Sequence, residues 1–233
     1  MGTYKVKYLD PIAVAISSVL AAQSVEPLEK IVKSPTWALV VAALISILTF
    51  NVIIHLISTL PKKRYFTRKI LDPRADYEGY YLEVKYLNST RSYAVVSLIY
   101  HFPTDEYQVA GTSMDSDGTI GIHWSSNFVR IDPNTKKIVY SLTGHTTDVA
   151  DGKTFDGVTN MSFLYFDNKT PVSGIGYFVD TIPAKSDFYF QKISEEDCKK
   201  YIGKNSLKST IDCRLFVQKF HAENPDKIFS WEK

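Results

Sequence analysis

Residues 36–60 contain no Asp, Glu, Lys or Arg, and nothing else in the chain constrains its fold as strongly. As a helix rising ~1.5 Å per residue, these 25 positions reach about 37 Å. That is enough to cross a hydrocarbon core of about 30 Å with some tilt. Ser34 and Pro35 read as the N-cap and first-turn proline, and Trp37 stands where an interfacial aromatic belongs. Asn51 and His55 lie four apart, on one face. Polar groups are costly in lipid, so this face is expected to meet another helix.

A first, weaker span precedes it. Asp10 and Pro11 open a helix, and residues 11–25 carry no charge. That stretch is short for a full crossing unless it lengthens through Leu9 and 27–32 or thins the bilayer. A cleaved signal peptide with Lys5 and Lys7 as its basic region is the rival reading, and Asp10 speaks against it. Basic residues flank the N-terminus and crowd after Leu60 as Lys62, Lys63, Arg64, Arg68 and Lys69. The loop between the spans balances Glu26 and Glu29 against Lys30 and Lys33. The positive-inside rule therefore puts both ends of the anchor in the cytoplasm.

Beyond the basic flank the hydrophobic period changes to two. Strands are expected over 79–87, 93–102, 107–114, 119–130, 137–147, 155–166, 173–181 and 187–192. Turn residues separate them: Asn88-Ser89-Thr90, Pro103-Thr104-Asp105, Asp115-Ser116-Asp117-Gly118, Asp132-Pro133-Asn134, Asp151-Gly152 and Asp167-Asn168-Lys169. Eight short, evenly spaced strands form an antiparallel meander that closes into a barrel, removing its edges. Glycines 79, 111, 121, 144, 157, 174 and 176 are expected mainly at barrel corners. Ser194 caps a short helix with acidic residues in its first turn, and a second runs over 209–221, with Ile211, Leu215, Phe216 and Phe220 apolar. The expected fold is a membrane-anchored all-β protein: two N-terminal transmembrane helices, then a small eight-stranded antiparallel β-barrel and a short helical tail. The divisions are an anchor at 8–62, a basic juxtamembrane linker at 63–75, a ligand-binding barrel at 76–193 and a C-terminal tail at 194–233.

Several functions are disfavoured. A net charge of +2 gives no footprint for DNA or RNA. No Walker loop, GxGxxG, HExxH, nucleophile elbow or paired CxxC is present, so no catalytic residues and no enzyme activity are expected. Cys198 and Cys213 read as reduced thiols without zinc partners. His101, His123 and His145 fall on different strands, the latter two on a solvent parity, so no metal site is expected.

A binding site is the better expectation. One parity of the fourth strand reads Ile120, Ile122, Trp124, Ser126, Phe128, Arg130. If the isoleucines face the lumen, Trp124, Ser126 and Arg130 do too, offering a flat ring, a hydroxyl and a guanidinium. Tyr80, Tyr86, Tyr100 and Tyr140 share the apolar parity of their strands. The candidate ligand-binding residues are thus Tyr80, Tyr100, Trp124, Ser126, Arg130 and Tyr140. A packed aromatic core is the alternative reading of the same pattern.

Two N-terminal apolar spans and a basic flank lead into Asp76-Tyr77-Glu78-Gly79-Tyr80-Tyr81. There follow Tyr107-Gln108-Val109-Ala110-Gly111-Thr112-Ser113, His123-Trp124-Ser125-Ser126, Ile138-Val139-Tyr140 and Ser173-Gly174-Ile175-Gly176-Tyr177-Phe178-Val179-Asp180. From about residue 8 to 192 this order resembles the two-transmembrane, β-strand-rich effector family of CBASS, the cyclic-oligonucleotide-based antiphage signalling system. The resemblance implies a minimal, lipocalin-like barrel in the cytoplasm of a bacterial cell, anchored in the inner membrane. It implies a cyclic di- or trinucleotide as activating ligand, with no other cofactor, made by a cGAS/DncV-like nucleotidyltransferase. Binding would drive homo-oligomerisation and disruption of the lipid bilayer, killing the infected cell. The competing readings are a membrane-tethered barrel carrying a lipid or other apolar molecule, and an adaptor with a filled barrel.

Overall fold

A computed structural model describes residues 9–63, 65–87, 90–147, 153–180 and 185–225. Lys5, Lys7, Arg64 and the turns at 88–89 and 151–152 lie outside them, as do the side chains of Lys62, Lys63 and Tyr86. The chain forms two compact units, Met1–Pro73 and Arg74–Lys233.

In the first unit α1 (Leu9–Val32) and α2 (Pro35–Lys63) make a hairpin, followed by the short α3 (Tyr65–Leu71). Pro27 lies within α1, and an exposed ion pair joins Lys30 to Glu26 at 2.9 Å on the same stretch. Lys33 takes a left-handed φ of 54° and turns the chain. Small side chains let the helices approach: Ala13, Ser17, Ala38 and Ala42 are buried, and Ser46 Oγ donates to the Ser17 carbonyl at 3.3 Å. Asn51 and His55, expected on a face that meets another helix, lie away from the small-residue seam with α1. They are exposed, and the Asn51 amide bonds back to the Ile47 carbonyl at 2.9 Å. The small residues at i, i+4 and i+8 claim the helix contact, and 51 and 55 fall on another face. Among the described residues one helix segment, Pro35–Leu56, is long and apolar enough to cross a membrane.

A 3₁₀ turn, Pro73–Tyr77, leads into the second unit. Its eight strands are β1 (Gly79–Leu87), β2 (Thr90–His101), β3 (Glu106–Asp115), β4 (Ile120–Asp132), β5 (Lys137–Thr146), β6 (Thr154–Asp167), β7 (Thr170–Asp180) and β8 (Lys185–Lys192). All pair antiparallel with sequence neighbours, and β8 returns to β1 through Leu82↔Gln191 and Val84↔Tyr189, closing the barrel. Strand pairing thereby satisfies the backbone all round. Two helices follow, α4 (Glu195–Ile202) and α5 (Thr210–Glu223). Ser194 and Asp197 form a reciprocal capping box, Gly203 ends α4 at φ 70°, and Ser209 caps α5.

The domain has two apolar layers. Inside the barrel, Tyr81, Leu98, Tyr107, Ile138, Tyr140, Phe163, Phe188 and Phe190 belong to one buried cluster. Outside it, Leu82, Val84, Tyr93, Val95 and Met114 pack beneath Cys198, Tyr201, Leu207, Phe216 and Val217 of the helical tail. The tail seats Phe216, Val217 and Phe220, while Ile211 and Leu215 stay exposed. The strands therefore bury both faces where the helices lie, which inverts the expected orientation of β1. Its apolar parity, Leu82 and Val84, faces the helices, and Tyr81, Glu83 and Lys85 face the lumen.

Candidate functional site

The two ends of the lumen differ. At the end where the chain enters β1, rings fill the space. Tyr77 meets Phe163 edge-on at 5.0 Å, Phe163 meets Phe190 at 4.8 Å, and Tyr81 donates to the Tyr77 carbonyl. The opposite half encloses a cavity of about 250 Å³. All eight strands contribute to its lining, from Glu83 and Lys85 on β1 to Ser186 and Phe188 on β8.

Its walls rest on an arrangement of glycines and rings. A Cβ on Gly111 would stand 2.1 Å from the Trp124 ring, so the indole lies flat over the strand opposite it in the ladder. Phe155 covers Gly144, Phe178 covers Gly157 and Phe188 covers Gly176 in the same way. These glycines, expected at corners, instead make docking places for rings. The rings hug the wall, and space is left between them.

Into this space project Glu83 and Lys85, with Ser92, Ser113, Thr159, Asp180 and Ser186 also on the lining. Glu83 is only 3% exposed, and no hydrogen-bond partner reaches its Oε1 among the described residues. Burial pushes its carboxyl up to about 7, against the smaller opposing pull of the Lys85 charge and a hydrogen bond from Tyr140. Tyr140 is held well above the usual phenol range, first by burial and then by the Glu83 charge. The Lys85 ammonium lies 5.2 Å from the Phe178 ring centre and 5.8 Å from that of Phe188.

Of the residues singled out from sequence, Trp124 and Tyr140 line the cavity, with their rings stacked at 5.6 Å and 14°. The other four are placed elsewhere. Tyr80 packs on the outer, helix-covered layer, where burial raises its phenol. Tyr100 lies toward the filled end, edge-on to Tyr107 and bonded to Asp105 in the β2–β3 turn. Ser126 Oγ accepts from Val109 N–H at 2.9 Å, a backbone donor just before the β3–β4 ladder begins. Arg130 is exposed on the outer face. Its reversal has a local cause: the β4–β5 register slips between Ser126 and Phe128, and the bulge turns Val129 and Ile131 inward. A second slip, at Ser113/Met114, sends Ile120 outward to the helices and keeps Ile122 in the lumen.

Glu83, Lys85, Phe155, Phe178, Phe188 and Asp180 escaped the sequence reading. The tail carried the signal that could have found the first two: its apolar residues need a sheet face to cover, and β1 offers Leu82 and Val84. His123 and His145 are exposed as expected, and His123 Nδ1 shares a 2.9 Å hydrogen bond with Thr112.

Chemically, the cavity offers flat aromatic walls, one buried carboxyl with an unused oxygen and one ammonium. Such a set has the shape and polar groups to take a small planar polar molecule. Its volume falls just under the ~300–1,000 Å³ of drug-sized sites, which suits one ring system with the rest of a ligand at the mouth. No family model, curated protein or solved structure matches the chain.

Proposed function

We propose that this chain is a membrane-anchored effector of the CBASS type, whose barrel senses a cyclic oligonucleotide. The observation that carries the reading is the half-hollow lumen, lined by flat-lying rings and holding Lys85 beside Glu83. One base enters between the rings, and the phosphate-bearing ring of the ligand stays at the mouth near Lys85. Lys85 takes the part first expected of Arg130. In this reading α1 and α2 both cross the bacterial inner membrane and the lipocalin-like barrel lies in the cytoplasm. Ligand binding drives the helices to oligomerise and disrupt the bilayer. Moving such an equilibrium from about 1:99 to 99:1 takes roughly 10⁴-fold preference for the assembled state, or about 5.5 kcal/mol. Base stacking at roughly 1–3 kcal/mol per base and a charge-assisted phosphate contact supply that order.

The second reading, an apolar-ligand carrier, is favoured by the ring-rich walls but opposed by a buried carboxyl oxygen that a lipid tail would leave unpaired. Thermal melts of the full chain in nanodiscs, with cyclic di- and trinucleotides in one arm and fatty acids in the other, separate the two. Stabilisation by a cyclic nucleotide, about 2.7 kcal/mol at a hundredfold excess over Kd, supports the proposal, and its loss in Trp124→Ala places the site. A response to fatty acids alone sinks it. Dye release from vesicles carrying the chain then tests whether the same nucleotide opens the bilayer.

A further inference from the structure

We propose that Glu83 reads the base: its carboxylate accepts the ring N–H of a lactam base, guanine or uracil, and so selects such a base over adenine. The inference rests on the reading above that a nucleobase enters the cavity. Its grounds are geometric. The carboxyl is almost wholly buried on the cavity lining, one side engaged by Tyr140 and Oε1 without a partner among the described residues. A buried acceptor of this kind is completed by a donor. The stacked pair Trp124–Tyr140 and the flattened rings of Phe155, Phe178 and Phe188 leave slots for a planar group, so the donor is expected in the plane of a ring. Guanine presents N1–H with its exocyclic N2–H beside it, and uracil presents N3–H. Adenine presents a ring nitrogen lone pair in that place, which faces the carboxylate oxygen lone pair against lone pair.

Charge decides the protonation state the site uses. The titratable groups on the lining besides Glu83 are Lys85 on the same strand, Tyr140 across the lumen, Asp180 at the end of β7 and, at its border, Tyr93, whose ring packs in the outer layer. The Tyr93 hydroxyl is already shared with His221 Nδ1 at 2.8 Å. Lys85 favours the ionised carboxylate and burial opposes it, so the carboxyl changes state near neutrality. A ring N–H binds the ionised form. Affinity for a lactam base therefore falls as pH drops below about 7, by up to tenfold per unit. A base that needs a donor from Glu83 binds the protonated form, and its affinity rises over the same interval.

Calorimetric titration of the full chain in nanodiscs at pH 6 and pH 8 tests this, with cyclic di-GMP, cyclic di-UMP and cyclic di-AMP as probes. At pH 8 at least one lactam probe should bind ten times tighter than cyclic di-AMP and should weaken severalfold at pH 6. Glu83→Gln keeps the shape and removes the charge. It should cost that probe at least tenfold, leave cyclic di-AMP within threefold and abolish the pH dependence. Equal affinities, a preference for cyclic di-AMP, or binding indifferent to Glu83→Gln would overturn the base reading while leaving nucleotide sensing intact. If no cyclic dinucleotide binds a chain that melts cooperatively, the sensing proposal loses its support and free guanosine, uridine and adenosine decide the edge alone. Preference for the first two that is lost in Glu83→Gln upholds it, and its absence refutes it.

Discussion

One strand serves both halves of the barrel, and the contrast between them is the most instructive feature of the molecule. At the filled end Tyr81 of β1 joins Phe163 and Phe190 in edge-to-face contacts at 5.8 and 6.1 Å. Two positions on, Glu83 enters a cavity, and two further, Lys85 lies against the rings that wall it. The difference is not in apolar content, since aromatic residues dominate both halves. It lies in what the rings meet. At the filled end rings meet rings across the lumen. Near the mouth Trp124, Phe155, Phe178 and Phe188 lie down on glycines, and rings there meet between adjacent strands, Trp124 on Tyr140 and Phe155 on Phe178. Close packing holds the fold at one end, and its avoidance makes room for chemistry at the other.

This contrast breaks most easily at the filled end. Phe190→Ala, at a fully buried ring, should cost about 3–5 kcal/mol, read from urea titration followed by tryptophan emission. A loss under 1 kcal/mol would mean that end is not the stabilising half. Glu83→Gln should act in the opposite direction. The Glu83 carboxyl is raised to about 7, above its ordinary 4.5 or so, so its folded form prefers the proton. Its contribution is fully present below about pH 4.5 and is lost as pH rises through 7. The native chain should therefore lose on the order of 3 kcal/mol across that window from this group, at about 1.4 kcal/mol per pH unit. Glu83→Gln should remove that slope and melt higher than the native chain at pH 8. Parallel pH profiles for the two would contradict a buried, proton-preferring carboxyl.

Smaller effects sharpen the assignment of the remaining candidates. Ser126→Ala deprives the Val109 N–H of its acceptor and should cost about 1 kcal/mol without weakening ligand binding, seen by melting and titration of the same variant. Arg130→Ala should change stability by less than about 0.5 kcal/mol and leave nucleotide affinity where it was. A marked affinity loss in Arg130→Ala would return the outer face of β4 to consideration as a binding surface.

How far residues alone revealed these features depends on how local their causes are. The number of strands, the turns at 103–105, 115–118, 132–134 and 167–169, the Ser194 cap and the helix after Ser209 were legible because turn chemistry, alternation and capping act over a few residues. Trp124 and Tyr140 were found on the lining because parity holds on their stretches of strand. Arg130 was misplaced because one extra residue at Asn127 shifts the parity after it, and a bulge leaves little trace in an alternating pattern. Tyr80 was misplaced because alternation says which residues share a face but not which face looks inward.

Local residue patterns spell out the alphabet of the fold. A charge-free stretch over 35–56 makes an apolar helix of membrane length, and eight alternating segments with polar turns close into a barrel. Those follow from hydrophobic period and local backbone preference, which each segment carries alone. The tertiary structure decided which side of β1 is the inside. The helices α4 and α5 cover Leu82 and Val84 on the outer wall and so turn Glu83 and Lys85 into the lumen. That choice joins residues more than a hundred positions apart, and burial of apolar area between them sets it, so no window of sequence contains it.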